Sequence, residues 1–334
     1  MRVLITGGAG FLGSRLTRAL LKRGTLRGAD GQEHPIDRIT VIDVTASDAI
    51  DPRVVPITGD LADPALVAAA VDADTSSIFH LAAIVSGMAE ADFDIGMRVN
   101  IDASRVLLDV CRQRGHCPRL VFTSSVAVYG GDVANGVDDR TALQPQSSYG
   151  MQKAVVELLI SDYTRRGFID GRVLRMPTIS VRPGRPNAAA SSFASGIVRE
   201  PLNGEDAICP VSPETRLWLL SPDTAVECLL AGHDLASEAL GGNRSVNMPG
   251  LSVSVAEMVA ALERQAGPDV VRRIRWQRDP RIERIVASWP GSWDASRARA
   301  LGFPGDASFD TIVRRYIDQM EEREPATSPR TPRA

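Results

Sequence analysis

Cysteine is scarce in this chain of 334 residues: Cys111, Cys117, Cys209 and Cys228 are the whole complement, and no two of them have CxxC spacing. That excludes a disulfide-stapled secreted scaffold, and the four read as reduced, structural cysteines. Cys111 and Cys117 flank His116, but three candidate ligands at a helix end do not complete a tetrahedron, so no metal is expected. Long apolar runs are also missing. The longest, Ala65–Val71, is far short of the roughly 20 residues that cross a bilayer. A net charge of −3, from 38 Lys+Arg and 41 Asp+Glu, leaves no basic excess to hold nucleic acid or an anionic membrane. The opening Met1–Thr6 reads as a core strand rather than a leader, and a cytoplasmic location is expected. What is present is a hydrophobic fraction of 44% against 24% charged, which is enough to bury a sizeable core and excludes a disordered chain.

The first half alternates strand and helix patterns. Arg2–Thr6, Ile39–Asp43, Val54–Ile57, Ser77–His80, Leu120–Ser124 and Val173–Arg175 read as buried strands. Phe11–Arg23, Met97–Arg114 and Tyr149–Arg166 carry apolar residues at helical spacing. Such alternation predicts an α/β fold with a doubly wound parallel sheet. Gly24–Arg38 reads as an inserted surface loop, and Ser180–Ala190, with Pro183 and Pro186 and preceded by Pro177, as a second loop. Ser221-Pro222-Asp223 and the capping box Ser254–Glu257 open two helices, the latter ending at Gly267. The expected division is 1–176 as the sheet domain, with 215–235 returning to it. A smaller mixed α/β lobe takes 177–214 and 236–323, and a disordered tail takes 324–334.

Gly7, Gly10 and Gly13 stand between a strand and a helix, with Phe11 and Leu12 opening that helix. This is the context in which a glycine trio lets backbone N–H groups approach a pyrophosphate at a helix N-terminus. Asp43 ends the second strand, where a carboxylate accepts bonds from ribose hydroxyls and repels a 2′-phosphate, so NAD is expected over NADP. The spacing from Gly13 is longer than usual, and the Gly24–Arg38 insertion accounts for the excess. Tyr149 and Lys153 lie at i and i+4 on one helical face. A free phenol is a poor base at neutral pH, and a neighbouring ammonium favours its ionised form. Thr123-Ser124-Ser125 ends the fifth strand, where ligands of such sheets bind, and supplies a hydroxyl to orient an alcohol.

Gly7–Gly13, Asp60-Leu61, His80–Ala83, Asn100, Thr123–Ser125 with Tyr129-Gly130, and Tyr149 with Lys153 together resemble an extended short-chain dehydrogenase/reductase. The resemblance implies a Rossmann domain with a C-terminal substrate lobe. It makes Tyr149 the acid/base, Lys153 the group that binds the nicotinamide ribose and tunes the tyrosine, and Ser125 the orienting hydroxyl, with Ser124 a close rival. It also implies that Asn100 supports a proton-relay water and that Asp60 and Leu61 contact adenine. Leu81, Ala82 and Ala83 are to lie along the cofactor, and Pro177 and Thr178 near the nicotinamide.

Ser124-Ser125 stand where dehydratases of the family carry an acidic pair, so dehydration is not expected. The segments 84–94, 182–193 and 197–202 resemble the group that oxidises D-erythronate, which implies a small aldonate substrate, oxidised at its C2 hydroxyl to a 2-oxo acid. An aldonate needs a fixed cation, and Arg182 and Arg185 sit in the loop after the sixth strand. Ser86, Asn187 and Ser192 are candidates for sugar hydroxyls. Glu90, Asp92 and Asp94 read as helix-end solvation, His80 as a satisfied core residue, and His34 and His233 as surface residues. Two alternatives stay open: a nucleotide-sugar 4-epimerase, which uses the same triad without releasing NADH, and a non-catalytic NAD sensor. By family analogy a homodimer forms through the helices of 97–114 and 149–166.

Overall fold

A computed structural model describes residues 1–131, 136–184, 186 and 188–323. Seven parallel strands form the main sheet, in the order Ser245–Asn247, Asp170–Met176, Arg119–Ser125, Thr75–His80, Arg2–Thr6, Arg38–Asp43, Val54–Thr58. Both faces are buried, which is why these strands are continuously apolar rather than alternating. Val3, Ile5, Phe79 and Val121 pack to one side with Leu16 and Leu20 of the helix Phe11–Arg23. Leu4, Ile78 and Leu120 pack to the other, with Leu107 of Ala103–Arg114 and Val156 of Ser148–Arg165. The chain leaves Arg2–Thr6 first toward Val54–Thr58 and then crosses back to Thr75–His80. The carboxyl ends of Arg2–Thr6 and Thr75–His80 therefore flank the switch point, the crevice where such sheets bind ligands.

The sequence-predicted strands and the three long helices are present, with ends differing by up to three residues, apart from the α-helix predicted from Met97, which begins at Ala103. Several features differ. Gly24–Arg38 is not a bare loop: Thr25–Arg27 and Glu33–Pro35 pair antiparallel. Its turn is made by Gly31 at φ 77° and by Gln32 N donating to Asp30 Oδ1 at 3.0 Å. Met97–Asp102 is a π-helical turn leading into Ala103–Arg114. Ser245–Asn247, which falls in the stretch assigned to the smaller lobe, instead extends the main sheet beside Asp170–Met176. His233 is fully buried rather than on the surface, bonded to Ser77 Oγ at 2.8 Å and Asp234 Oδ1 at 3.0 Å and stacked on Phe79. Ser221 and Ser254 cap the helices Pro222–Asp234 and Val255–Ala266, the second through a full capping box. Residues 324–334, expected to form a disordered tail, lie outside the described residues.

A second core gathers Phe193, Ile197 and Val198 of the helix Phe193–Leu202 with Met258 and Leu262, and with Val313 and Tyr316 of the helix Phe309–Arg323. It forms the smaller lobe. Its inner wall faces the switch point. All four cysteines are free thiols, with Cys111, Cys209 and Cys228 buried and Cys117 exposed. Among the described residues no helix is long and apolar enough to cross a membrane, and no group of three potential ligands is placed to hold a metal.

Candidate active site

The glycine turn follows directly from the end of Arg2–Thr6. Gly7 N donates to Ile42 O at 2.8 Å and Gly10 N to Gly7 O at 3.2 Å. Gly7 has φ 70°, and a Cβ there would stand 2.7 Å from Ala82 N. A Cβ on Gly13 would stand 2.4 Å from Gly7 O, so only glycine lets this helix approach its strand. The N-cap of Phe11–Arg23 is Gly10, with no side-chain cap. Its first N–H groups are thus left for a ligand, and they are suited to a phosphate. Asp43 ends its strand beside the turn, accepting from Ala9 N at 3.1 Å and Thr45 N at 3.0 Å. Its carboxylate has no cationic partner among the described residues. This cradle fits the dinucleotide expected from the sequence.

Gly7, Gly10, Phe11, Leu12 and Gly13 line one end of a cavity of about 370 Å³, and Leu81 and Ala83 line its side. Ser86, Ser125, Tyr149, Lys153, Pro177, Thr178 and Arg182 reach the same cavity. Five other expected site residues lie off its wall. Asp43 stands beside the glycine turn, and Ala82 packs its backbone under Gly7. Asp60 and Leu61 follow the next strand out, Asp60 bound to Arg98 and Ala62 N, Leu61 buried. Asn100 is buried with its amide fully used: it accepts from Ile84 N at 2.8 Å and donates to Ile84 O at 3.1 Å and Gln152 Oε1 at 2.7 Å. Its own carbonyl takes the Ser104 hydroxyl at 2.6 Å. Asn100 thereby ties the segment after Thr75–His80 to the helix Ser148–Arg165. Arg185 and Asn187 lie outside the described residues.

Both serines line the cavity, but their hydroxyls are bonded differently. Ser124 is buried and its hydroxyl donates to Glu157 Oε1. Ser125 accepts from Ala127 N at 3.2 Å and hydrogen-bonds the Tyr149 phenol. Burial pushes that phenol up to about 12, against the pull of the Ser125 bond and the Arg182 charge. Burial brings the Lys153 ammonium down to about 7, opposed by Glu157 one turn further along the helix. Lys153 donates to Thr123 O at 2.9 Å, and its Nζ stands 5.7 Å from the centroid of the Tyr149 ring. Arg182 is half-buried, and burial together with the Arg199 charge lowers its pKa. Its guanidinium has no acidic or hydrogen-bonding partner among the described residues.

His80 is a core residue, as expected. Because the Ser104 hydroxyl is spent on Asn100 O, Ser104 accepts from His80 Nε2 at 2.9 Å, and Nδ1 takes the Thr6 hydroxyl at 2.7 Å. Burial holds the ring neutral, with a pKa near 3. Glu90 and Asp92 satisfy helix-start amides at Ser148 and Ile95. His34 is half-buried and bonded to Asp30. Sequence reasoning missed Trp289, which lines the cavity and whose Nε1 is buried without a partner among the described residues. It also missed Glu157, although its place eight residues after Tyr149 puts it on the same helical face.

Residues 3–238 match the model of the NAD dependent epimerase/dehydratase family. The chain belongs to that family. It is 63% identical over 319 residues to a D-erythronate dehydrogenase of Cupriavidus necator, covering 95% of this chain and 98% of that one. A D-erythronate dehydrogenase of Haemophilus influenzae is 45% identical, covering 95% and 99%. Among solved structures, one titled as a nucleoside-diphosphate-sugar epimerase from Agrobacterium tumefaciens superposes with a TM-score of 0.89 at 42% identity, covering 97% of this chain and 95% of that one. This member of the family is an NAD-dependent oxidoreductase.

Proposed function

We propose that the enzyme oxidises the C2 hydroxyl of D-erythronate, giving the 2-oxo acid, NADH and a proton. The observation that carries this reading is Arg182: a cation without an acidic partner among the described residues, in the wall of the cavity that holds Tyr149. A half-buried charge of this kind is suited to meet a ligand, and a guanidinium matches a carboxylate in bidentate geometry. The relatives at 63% and 45% identity are named for the same acid.

With the carboxylate on Arg182, the neighbouring C2 hydroxyl reaches Ser125 and Tyr149. Ser125 holds the alcohol, and Tyr149 as phenolate takes its proton. Lys153 and Arg182 supply the positive charge that offsets the burial of that phenolate. Bound NAD supplies the hydride acceptor. Positioning of the reacting carbon is the main contribution of the protein. Thr178 and Ser191, also in the wall, are placed for the remaining hydroxyls. Ser86 also reaches the cavity; its hydroxyl accepts from Ala190 N at 3.1 Å and keeps its own hydrogen to donate.

The test is NADH absorbance with purified enzyme, NAD and D-erythronate, L-threonate or UDP-glucose, with Tyr149→Phe as control. Turnover of D-erythronate that vanishes in the variant supports the reading. The second reading is nucleotide-sugar epimerisation, the activity for which the Agrobacterium tumefaciens protein is named. Conversion of UDP-glucose without NADH accumulation, and silence on both acids, would establish that instead. The homodimer through the outer faces of Ala103–Arg114 and Ser148–Arg165 is part of the proposal. Leu158, 69% exposed on the second helix, supports it, and Leu158→Glu should convert a dimer to monomers in light scattering.

A further inference from the structure

The active-site cavity has a neighbour. A second cavity of about 880 Å³ lies along Phe193–Leu202, bounded by the strand Ala207–Cys209 and the helix Pro280–Ala287. Between the two runs a single thickness of backbone, Ala188–Ser192. Ala189 and Ser191 face the smaller cavity, while Ala188, Ala190 and Ser192, with Ala189 again, face the larger.

The start of the helix Ser86–Ala91 holds this strap in place. Ser86 Oγ accepts from Ala190 N at 3.1 Å. Gly87 lies directly beneath, and a Cβ there would stand 2.0 Å from Ala188 O. Any side chain at that position pushes the strap away. Ser192 N donates to Ala189 O at 2.9 Å and closes the turn at its far end.

We infer that Ser86 and Gly87, by seating the strap Ala188–Ser192, set the length of acid the enzyme accepts. This rests on the aldonate reading above. The smaller cavity is also lined by the glycine turn, so it has to take the reactive end of the cofactor together with the substrate, and what remains suits a short chain. An acid with C1 on Arg182 and C2 at Tyr149 has its tail as the only part free to vary. A longer tail meets the strap, and the room it needs lies on the other side. Ser86 and Gly87 are thus specificity-determining through the strap, and neither contributes to the proton transfer.

The experiment measures kcat/KM for D-erythronate, a five-carbon aldonate and D-gluconate, in the unmodified enzyme and in Gly87→Ala. In parallel, the three acids are titrated by calorimetry into the NADH-loaded proteins. The unmodified enzyme should lose about tenfold for each added carbon, and Gly87→Ala should flatten this ladder to within about threefold. The change should appear chiefly in KM and in the calorimetric affinity for D-gluconate. Equal use of D-gluconate and D-erythronate by the unmodified enzyme overturns the inference, as does a Gly87→Ala protein that weakens all three acids alike. Should Gly87→Ala fail to fold, Ser86→Ala, which leaves Ala190 N without its acceptor, carries the same comparison. If no acid is turned over but the binding ladder is present and flattens in the variant, the dehydrogenase reading falls and the length gauge stands.

Discussion

Adjacent residues of a strand face opposite sides of a sheet, and this separates Ser124 from Ser125 more sharply than any property of the two side chains. Ser124 bonds Glu157, itself held by Arg175 Nε and Nη2 at 2.6–3.1 Å, so its hydroxyl is tied to a buried ion pair. Ser125→Ala should lower kcat by about tenfold to a hundredfold with little change in Tm. Ser124→Ala should do the reverse, costing roughly 1–3 kcal/mol through the carboxylate left short of a partner. Steady-state kinetics and thermal unfolding of the pair check both. Lys153 gives a pH prediction. Its ordinary value of 10.5 falls to about 7 on burial, so between these values the unfolded chain binds a proton that the folded one does not. Stability therefore rises with pH across that window, and the burial penalty is fully present below it. The Tm difference between Lys153→Met and the unmodified enzyme should move in favour of the unmodified enzyme as pH rises from about 7 to about 10. A difference flat in pH would show that the lysine is not buried as a strained cation. The spacing of Tyr149 and Lys153 became informative only beside the Thr123–Ser125 strand end and the glycine turn. The choice between the serines was not legible, because Glu157 and Arg175, remote in the chain, decide which hydroxyl is free.

At the scale of the element, what was legible is what local chemistry determines. Phe11–Arg23 buries Gly13, Leu16, Thr17 and Leu20 and stops at Gly24 with φ 73°, a boundary that periodicity and a C-terminal glycine announce together. Ser245–Asn247 has only three residues, and it is a strand because Asp170–Met176 offers an edge. No local pattern marks that. The π turn at Met97–Asp102 keeps the same apolar spacing as an α-helix, so it too was invisible. The glycine turn allows a test in which two neighbouring substitutions part company. A Cβ on Gly13 meets Gly7 O at 2.4 Å and Gly8 Cα at 2.5 Å, whereas on Gly10 its nearest neighbour is Gly7 O at 3.0 Å. Gly13→Ala should therefore lower the Tm of the cofactor-free protein and weaken NADH binding together. Gly10→Ala should leave Tm nearly unchanged and weaken NADH binding by about tenfold, because its methyl stands where the backbone meets phosphate. Fluorescence titration with NADH and thermal unfolding separate the two. Equal Tm losses would refute the distinction.

Across the whole molecule, the two lobes share one strand. Arg216–Leu220 sends Trp218 and Leu220 into the core under the main sheet and Leu217 and Leu219 into the core of the smaller lobe. It has no polar face after Arg216 because neither side meets water. That is also why a reading based on alternation could not place it between two bodies. Trp289 packs against both cores and lines the candidate active-site cavity, so that cavity lies on the seam where the lobes are fastened. Leu219 is fully buried on the smaller-lobe side, and Leu219→Ala should cost about 2–5 kcal/mol. The shared strand means this loss should not melt the smaller lobe alone. Far-ultraviolet circular dichroism and tryptophan fluorescence should report one coincident transition, at a lower Tm than in the unmodified enzyme. NADH, for which the glycine turn of the other lobe is the proposed site, should raise that single Tm in the variant and in the parent alike. Two separate transitions, with NADH moving only one, would mean that the lobes fold independently and that the strand is a hinge rather than a seam.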